Sequence, residues 1–352
     1  MINLAVSECD DYRSAFQEEL VESFQNDRLH LILLPTEQCN FRCTYCYEDF
    51  LIGRMQPETI RGVKRLIDRR LDDLRLLNIS WFGGEPMLAT GVIEEISRHI
   101  VDAAKERPSL RYYADMTTNG YLLNTDAVAR LHGLGVRSFQ ISLDGPELLH
   151  DSTRVRASGK GSFRQIWGNL LSIRDSAAGV NVLLRVHLTP DNLPFMPKFL
   201  RTLRDTFLVD PRFQVTLKPV EHMGGPNDDT IEIIQEEDRH TTIAELEAIV
   251  TDGTGKDRLY EGSDVCYASR PNSLMIRANG RVGKCTVALT DVANTIGELL
   301  PDGSLRIDNS RLQPWLRGWQ SRDLEDLGCP LATMPRDSIE FVQIARVARS
   351  SV

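Results

Sequence analysis

The stretch LLPTEQCNFRCTYCYEDF places Cys39, Cys43 and Cys46 within eight residues. A structural zinc site takes four protein ligands, and disulfides take cysteines in pairs. Three closely spaced thiols therefore describe a metal centre with one coordination position left open. Of the other four cysteines, Cys9 stands alone, whereas Cys266, Cys285 and Cys329 fall together in the last third of the chain.

The elements that must position these thiols can be read from the hydrophobic pattern. Six short apolar runs, LHLILLP, NISWF, RYYADMTT, VRSFQISLD, VNVLLRVHL and RFQVTLKP, alternate with longer amphipathic segments. Ile60, Val63, Ile67, Leu71 and Leu74 mark one helical face, and Val128, Leu131 and Leu134 another. Six βα units in strict alternation predict a parallel sheet with right-handed crossovers, either an open doubly wound sheet or a partial barrel. The rhythm breaks at EHMGGPNDDT, a boundary around residues 222 to 230. A helix, DRHTTIAELEAIV, follows, and then two short strands in NSLMIRANGRVGKCTVAL around an Asn-Gly turn.

Composition narrows the setting. The chain has 352 residues, a net charge of −9, 26% charged and 41% hydrophobic residues, an ordinary globular balance that disfavours polyanionic partners such as nucleic acid. The arginines of RGVKRLIDRRLDDLR alternate with aspartates at helical spacing and read as a solvated face. No apolar run approaches the roughly 20 residues that span a bilayer. The first thirty residues are acidic and lack a signal-peptide pattern, so a cytoplasmic, non-membrane protein with reduced thiols is expected.

Each distinctive motif follows a predicted strand: the cysteine loop the first, GGEP (Gly83 to Pro86) the second, TNG (Thr118 to Gly120) the third and SLDG (Ser142 to Gly145) the fourth. In parallel α/β folds ligands bind at the carboxyl ends of strands, so these loops converge. His187 reads as a hydrogen-bonded strand histidine, Tyr45 and Phe41 as shields beside the thiols, and Trp315 and Trp319 as core.

The spacing Cys-x3-Cys-x2-Cys in CNFRCTYC resembles the signature of the radical S-adenosylmethionine (SAM) superfamily. The resemblance implies a 4Fe-4S cluster on Cys39, Cys43 and Cys46, its open iron chelated by the amino and carboxylate groups of SAM, which one electron cleaves to a 5′-deoxyadenosyl radical. WFGGEPML is similar to the family's glycine-rich loop, which implies that Gly83, Gly84 and Glu85 meet the SAM amino group. TTNGYLL and ISLDGP match in order, implying that Asn119, Ser142 and Asp144 lie near the ribose and carboxylate. HDSTRVRASGKGSF resembles a segment of peptide-modifying members and makes Arg154 a clamp for the SAM carboxylate. Together these motifs cover residues 31 to 220.

CYASRPNSLMIRANGRVGKC resembles the opening of a SPASM or shorter twitch extension, implying one auxiliary 4Fe-4S cluster on Cys266, Cys285 and Cys329. Three unrelated buried cysteines are the competing reading. A full SPASM cysteine run is absent: the later positions read Ala332, Ser338 and Val342. Sulfatase-maturing members carry an aspartate directly after the hairpin cysteine; here Thr286 follows Cys285, which disfavours that subfamily.

The expected organisation is an N-terminal helical extension (1–30), a partial (β/α)6 barrel (31–225) and a smaller α+β twitch/SPASM-like domain (226–352). The expected function is hydrogen abstraction from a peptide in ribosomal natural-product (RiPP) or protein maturation. The alternatives are dehydrogenation of, or sulfur insertion into, a small molecule, and a non-enzymatic iron-sulfur or zinc protein. The resemblance also implies a flavodoxin- or ferredoxin-type electron donor. The N-terminal segment of about thirty residues is too short for the leader-recognition domain fused to some ribosomal-peptide maturases, so either a separate leader-peptide-binding protein or another substrate class is expected.

Overall fold

A computed structural model describes residues 16–252, 255–260 and 263–334. Cys9, Ser338 and Val342 lie outside the described residues. All six expected strands form: β1 (Arg28–Leu33), β3 (Leu76–Trp81), β4 (Arg111–Thr118), β5 (Val136–Leu143), β7 (Asn181–Leu188) and β8 (Phe213–Pro219). They pair in parallel in the order β1-β3-β4-β5-β7-β8, as alternation with helices requires, and the partial barrel is thereby confirmed. Two further short strands, β2 (Phe41–Cys43) and β6 (Arg154–Arg156), make a separate antiparallel ribbon.

The crossover helices form for local reasons. Pro57 opens the helix Pro57–Arg70 at a position where its missing N–H costs nothing, Glu58 sits in the first turn, and Arg69 and Arg70 in the last, so all complement the helix dipole. Ile60, Val63 and Ile67 face the core, while Leu71 and Leu74 are buried just past the helix end. The arginines of this segment face outward, Arg61 toward Glu58 and Arg65 toward Asp68. Each inner strand shows period two. In β7, Val182, Leu184, Val186 and Leu188 are buried in the core shared with the helices, and the alternate residues Arg185 and His187 face the barrel mouth.

Beyond residue 226 the chain does not begin a separate sheet. The strand β9 (Ser273–Ile276) pairs in parallel with β1, and β10 (Arg281–Gly283), β11 (Gly297–Leu299) and β12 (Leu305–Ile307) continue outward in antiparallel fashion. A single ten-stranded sheet results. The physical reason is the free edge of β1, whose backbone donors and acceptors gain partners. The expected Asn-Gly turn joins β9 to β10, with Gly280 at φ 85°. Trp315 and Trp319 are core residues whose indole N–H groups donate to the carbonyls of Ala293 and Ser269 at 3.1 and 2.7 Å.

One buried ion pair locks this extension to the cysteine loop. Arg277, at the end of β9, donates through Nε to Glu37 Oε1 at 3.2 Å and through Nη2 to Glu37 Oε2, with side-chain exposures of 6% and 2%. Glu37 lies two residues before Cys39. Removing one partner of such a pair strands a buried charge and costs about 3–5 kcal/mol. Arg277→Met is therefore expected to lower unfolding stability by about that amount in urea titration, and Glu37→Gln combined with it to recover part of the loss. A single-variant change below about 1 kcal/mol would refute this account.

Candidate functional site

The carboxyl ends of the strands open into a cleft. Cys39, Cys43 and Cys46 line it together with Gly83, Gly84, Asn119, Ser142 and Arg154. Glu85 and Asp144 stand behind these residues and act on them through hydrogen bonds.

The ribbon of β2 and β6 sets Arg154 directly opposite Cys43. Arg154 is buried; its Nη1 donates to the Tyr45 hydroxyl at 2.8 Å and its guanidinium lies 5.8 Å from the Phe41 ring centre. The His-Asp pair upstream fixes that placement. Asp151 Oδ1 accepts from the N–H groups of Ser162 and Phe163 at 2.7 and 2.9 Å, and His150 Nε2 meets the Ser162 hydroxyl at 3.1 Å. A Cβ at Gly161 would stand 2.1 Å from Asp151 Oδ2, which explains the small residue in the GKGSF turn.

Asp144 gathers the loop ends. Its carboxylate accepts from the Tyr45 hydroxyl at 2.8 and 2.9 Å, from Thr153 Oγ1 at 2.6 Å and from His187 Nδ1 at 3.1 Å. Burial alone would raise its pKa, but the hydrogen bond from His187 and the Arg154 charge outweigh that, and the carboxyl titrates well below the usual range. Burial lowers the His187 pKa, so the imidazole meets Asp144 as a neutral Nδ1–H donor. His187 is thus hydrogen-bonded on its strand, as its sequence position suggests.

The glycine-rich loop presses against the cysteine loop. Gly83 and Gly84 have φ of 84° and 25°, and a Cβ on Gly84 would fall 2.2 Å from the Gln38 carbonyl. The Gly84 N–H donates to Glu48 Oε2 at 2.8 Å, and burial pushes the Glu48 carboxyl up to about 7. Glu85 is fully buried. It accepts from the N–H groups of Met87 and Asn119 at 2.9 and 2.8 Å and from the Thr118 hydroxyl at 2.8 and 3.0 Å. Its oxygens thus order the GGEP and TNG turns. Asn119 in turn donates from Nδ2 to Asn40 Oδ1 at 2.7 Å.

Two observations test whether these residues fit the expected cofactors. First, Arg154 Nε is buried without a hydrogen-bond partner; an unsatisfied guanidinium donor beside the thiols suits a ligand carboxylate. Second, the thiols are unpaired, and burial pushes Cys39 and Cys46 up to about 12 and raises Cys43 as well. Buried protonated thiols become ligands only by losing protons to a metal. Among the described residues no three His, Cys, Asp or Glu side chains close around one ion. Iron-sulfur clusters are held by cysteine thiolates, so the all-sulfur donor set of Cys39, Cys43 and Cys46 suits such a cluster.

Cys266, Cys285 and Cys329 also come together. The Cys266 N–H donates to the Leu327 carbonyl at 2.8 Å, two residues before Cys329, and burial, then mutual repulsion among the thiols, raises the Cys266 pKa. Cys285 is buried and Cys329 exposed. This group borders the main cleft, because Thr286 and Val287 line it and Thr286 shares a 2.7 Å hydrogen bond with the Tyr267 hydroxyl. Sequence reasoning missed Glu37, Glu48 and the Tyr45 hydroxyl as anchors. Their one sequence signal is proximity to the cysteine loop.

Comparison with known proteins agrees with this geometry. Residues 33–197 match the Radical SAM superfamily. A GTP 3',8-cyclase from Pectobacterium atrosepticum is 31% identical over 152 residues, covering 42% of this chain and 43% of that protein. One from Streptomyces coelicolor is 29% identical over 193 residues, covering 52% and 53%. The chain thus spans about half or less of these curated relatives. Among solved structures, native anSMEcpe with bound AdoMet and Cp18Cys peptide superposes with a TM-score of 0.62 at 18% identity, covering 81% of this chain and 80% of that one. Streptococcus suis SuiB bound to precursor peptide SuiA gives 0.58 at 15%, covering 91% and 73%. These likenesses confirm the fold, and the family's cofactors are SAM and a 4Fe-4S cluster. Through residues 33–197, just under half of its length, the chain is similar to the radical SAM superfamily.

Proposed function

We propose that this protein is a radical SAM enzyme that abstracts hydrogen from a peptide during natural-product or protein maturation. The observation that carries the reading is the convergence of three unpaired thiols, a positive-φ glycine loop and a partner-free Arg154 Nε on one cleft. When bound, SAM and the cluster would supply a carbon-centred radical able to take hydrogen from an unactivated position.

The chain's own residues hold and shield these groups. Cys39, Cys43 and Cys46 would ligate the cluster, and Arg154 would donate to the SAM carboxylate. Gly83 and Gly84 leave backbone space for the amino group, while Asn119 and Ser142 offer polar groups at the cleft wall. Glu85 and Asp144 act from behind as positioning residues. Phe41, Phe50 and Phe82 line the cleft and exclude water. The peptide reading is supported by the His-Asp-x2-Arg segment and by neighbours whose structures hold peptides. A small-molecule substrate is the second reading, favoured by curated relatives named GTP 3',8-cyclase. We assign the twitch-like role to Cys266, Cys285 and Cys329, which would hold one auxiliary 4Fe-4S cluster. A flavodoxin- or ferredoxin-type donor and a separate leader-binding protein complete the proposal.

Anaerobically reconstituted, reduced protein is expected to convert SAM to 5′-deoxyadenosine, measured chromatographically, and alanine at Cys39, Cys43 or Cys46 to abolish it. Full activity in all three variants would sink the assignment. Iron analysis should find about eight irons per chain in the wild type and about four when all three barrel cysteines are replaced, at four per cube. A barrel variant without iron would return Cys266, Cys285 and Cys329 to ordinary packing.

Arg154→Met is expected to weaken SAM binding by about one to two decades, the worth of a charge-assisted hydrogen bond of roughly 1.5–3 kcal/mol, with the cluster absorption unchanged. Tyr45→Phe, which removes the hydroxyl's bonds to Arg154 and Asp144 but leaves the guanidinium in the cleft, should cost less. Equal SAM affinity in wild type and Arg154→Met would show that the clamp lies elsewhere.

A further inference from the structure

The cleft holds a second guanidinium that the cofactor roles do not use. Arg185, on β7, lines the cleft and makes no hydrogen bond or ion pair with any described residue. Its strand neighbours in register are Ser142 on β5 and Thr216 on β8, so it belongs to the wall of the main sheet. Arg154, by contrast, sits on the separate β2–β6 ribbon opposite Cys43.

The adjoining charges are already in use, and unequally. Lys218, opposite His187 in register, pairs with Glu221 at 3.1 Å, and Arg239 reaches the other Glu221 oxygen at 2.9 Å. One carboxylate thus serves two cations, with Arg185 beside them unpaired. His187 adds no charge, being a neutral donor to Asp144. Arg185, Lys218 and the adjoining Arg239 against Glu221 leave this part of the wall with a local excess of positive charge in a chain whose net charge is −9. A half-buried guanidinium facing a cleft presents a planar fork of donors that matches a carboxylate.

We propose that Arg185 binds an acidic side chain of the peptide substrate, with Lys218 assisting. The proposal rests on the peptide reading above and makes Arg185 a specificity residue. The size of the surplus favours a carboxylate over a triphosphate. A single carboxylate is matched by Arg185 alone, whereas a triphosphate would bring more negative charge than the wall can neutralise with Lys218 and Arg239 both tied to Glu221.

The test uses reconstituted protein with SAM, without reductant, so that binding is read apart from turnover. The probes are the blocked tetrapeptide Gly-Glu-Gly-Gly, its Gly-Gln-Gly-Gly counterpart and GTP. Wild type is expected to bind the glutamyl peptide at least about tenfold more tightly than the glutaminyl one. Arg185→Met should erase that preference, Arg185→Lys should restore part of it, and SAM affinity should stay within about twofold throughout. Absence of a glutamate preference in the wild type, including failure to bind either peptide into the millimolar range, overturns the proposal. So does GTP binding that alone depends on Arg185, or a fall in SAM affinity in Arg185→Met, which would make Arg185 a second clamp for the cofactor. Because no SAM cleavage is measured, failure of the radical reading would appear in the 5′-deoxyadenosine assay and not here.

Discussion

The Tyr45 hydroxyl is the point on which the site geometry depends. It accepts from Arg154 and donates to Asp144, so one atom joins the cysteine loop, the β2–β6 ribbon and the end of β5. Tyr45 lies between Cys43 and Cys46, and any rotation of the loop would break both bonds at once. Such a network is stable only when every buried member is satisfied. Here Thr153 and His187 complete Asp144, and Arg154 Nε is left for a ligand. The rigid part of the site is protein and the open valence faces the cleft.

The same logic explains why the C-terminal strands sit where they do. The β9–β12 extension covers the edge of β1 and brings Arg277 onto Glu37, just before Cys39. It also carries Cys285 and Thr286 to the rim of the cleft. The two cysteine groups are therefore carried on loops attached to neighbouring strands, and a group bound at Cys266, Cys285 and Cys329 would face the cleft across Thr286 and Val287. Thr286, directly after Cys285, lines the cleft and is held by the Tyr267 hydroxyl.

Much of this was legible in the sequence because it depends on local pattern. The six strands alternate or run apolar, their order follows from βα alternation, and the cysteine spacing, the GGEP turn and the Asn-Gly hairpin each have a short-range cause. What escaped depends on contacts between residues far apart. Glu37 and Arg277 are separated by 240 positions, and Tyr45 and Asp144 by 99. Neither pair has a spacing that could announce it. The joining of β9 to β1 escaped for the same reason, since a parallel edge pairing leaves no trace in the four residues that make it. Arg185 is one residue of the run VNVLLRVHL, and its lack of a partner among the described residues is visible only once its neighbours are placed.

Glu85 has a structural task that its motif alone does not announce. Its two oxygens accept from the Met87 and Asn119 N–H groups and share the Thr118 hydroxyl proton. Burial raises its pKa, while the Asn119 and Met87 N–H groups and the Thr118 hydroxyl oppose that rise. A buried carboxylate with several donors is a rigid bracket between two turns, and a neutral amide in its place would have to offer an N–H where only donors await it. The GGEP and TNG loops follow different strands and are joined by these hydrogen bonds. Their common carboxylate fixes the distance between the glycine backbone and Asn119, which is the span a ligand in the cleft would bridge.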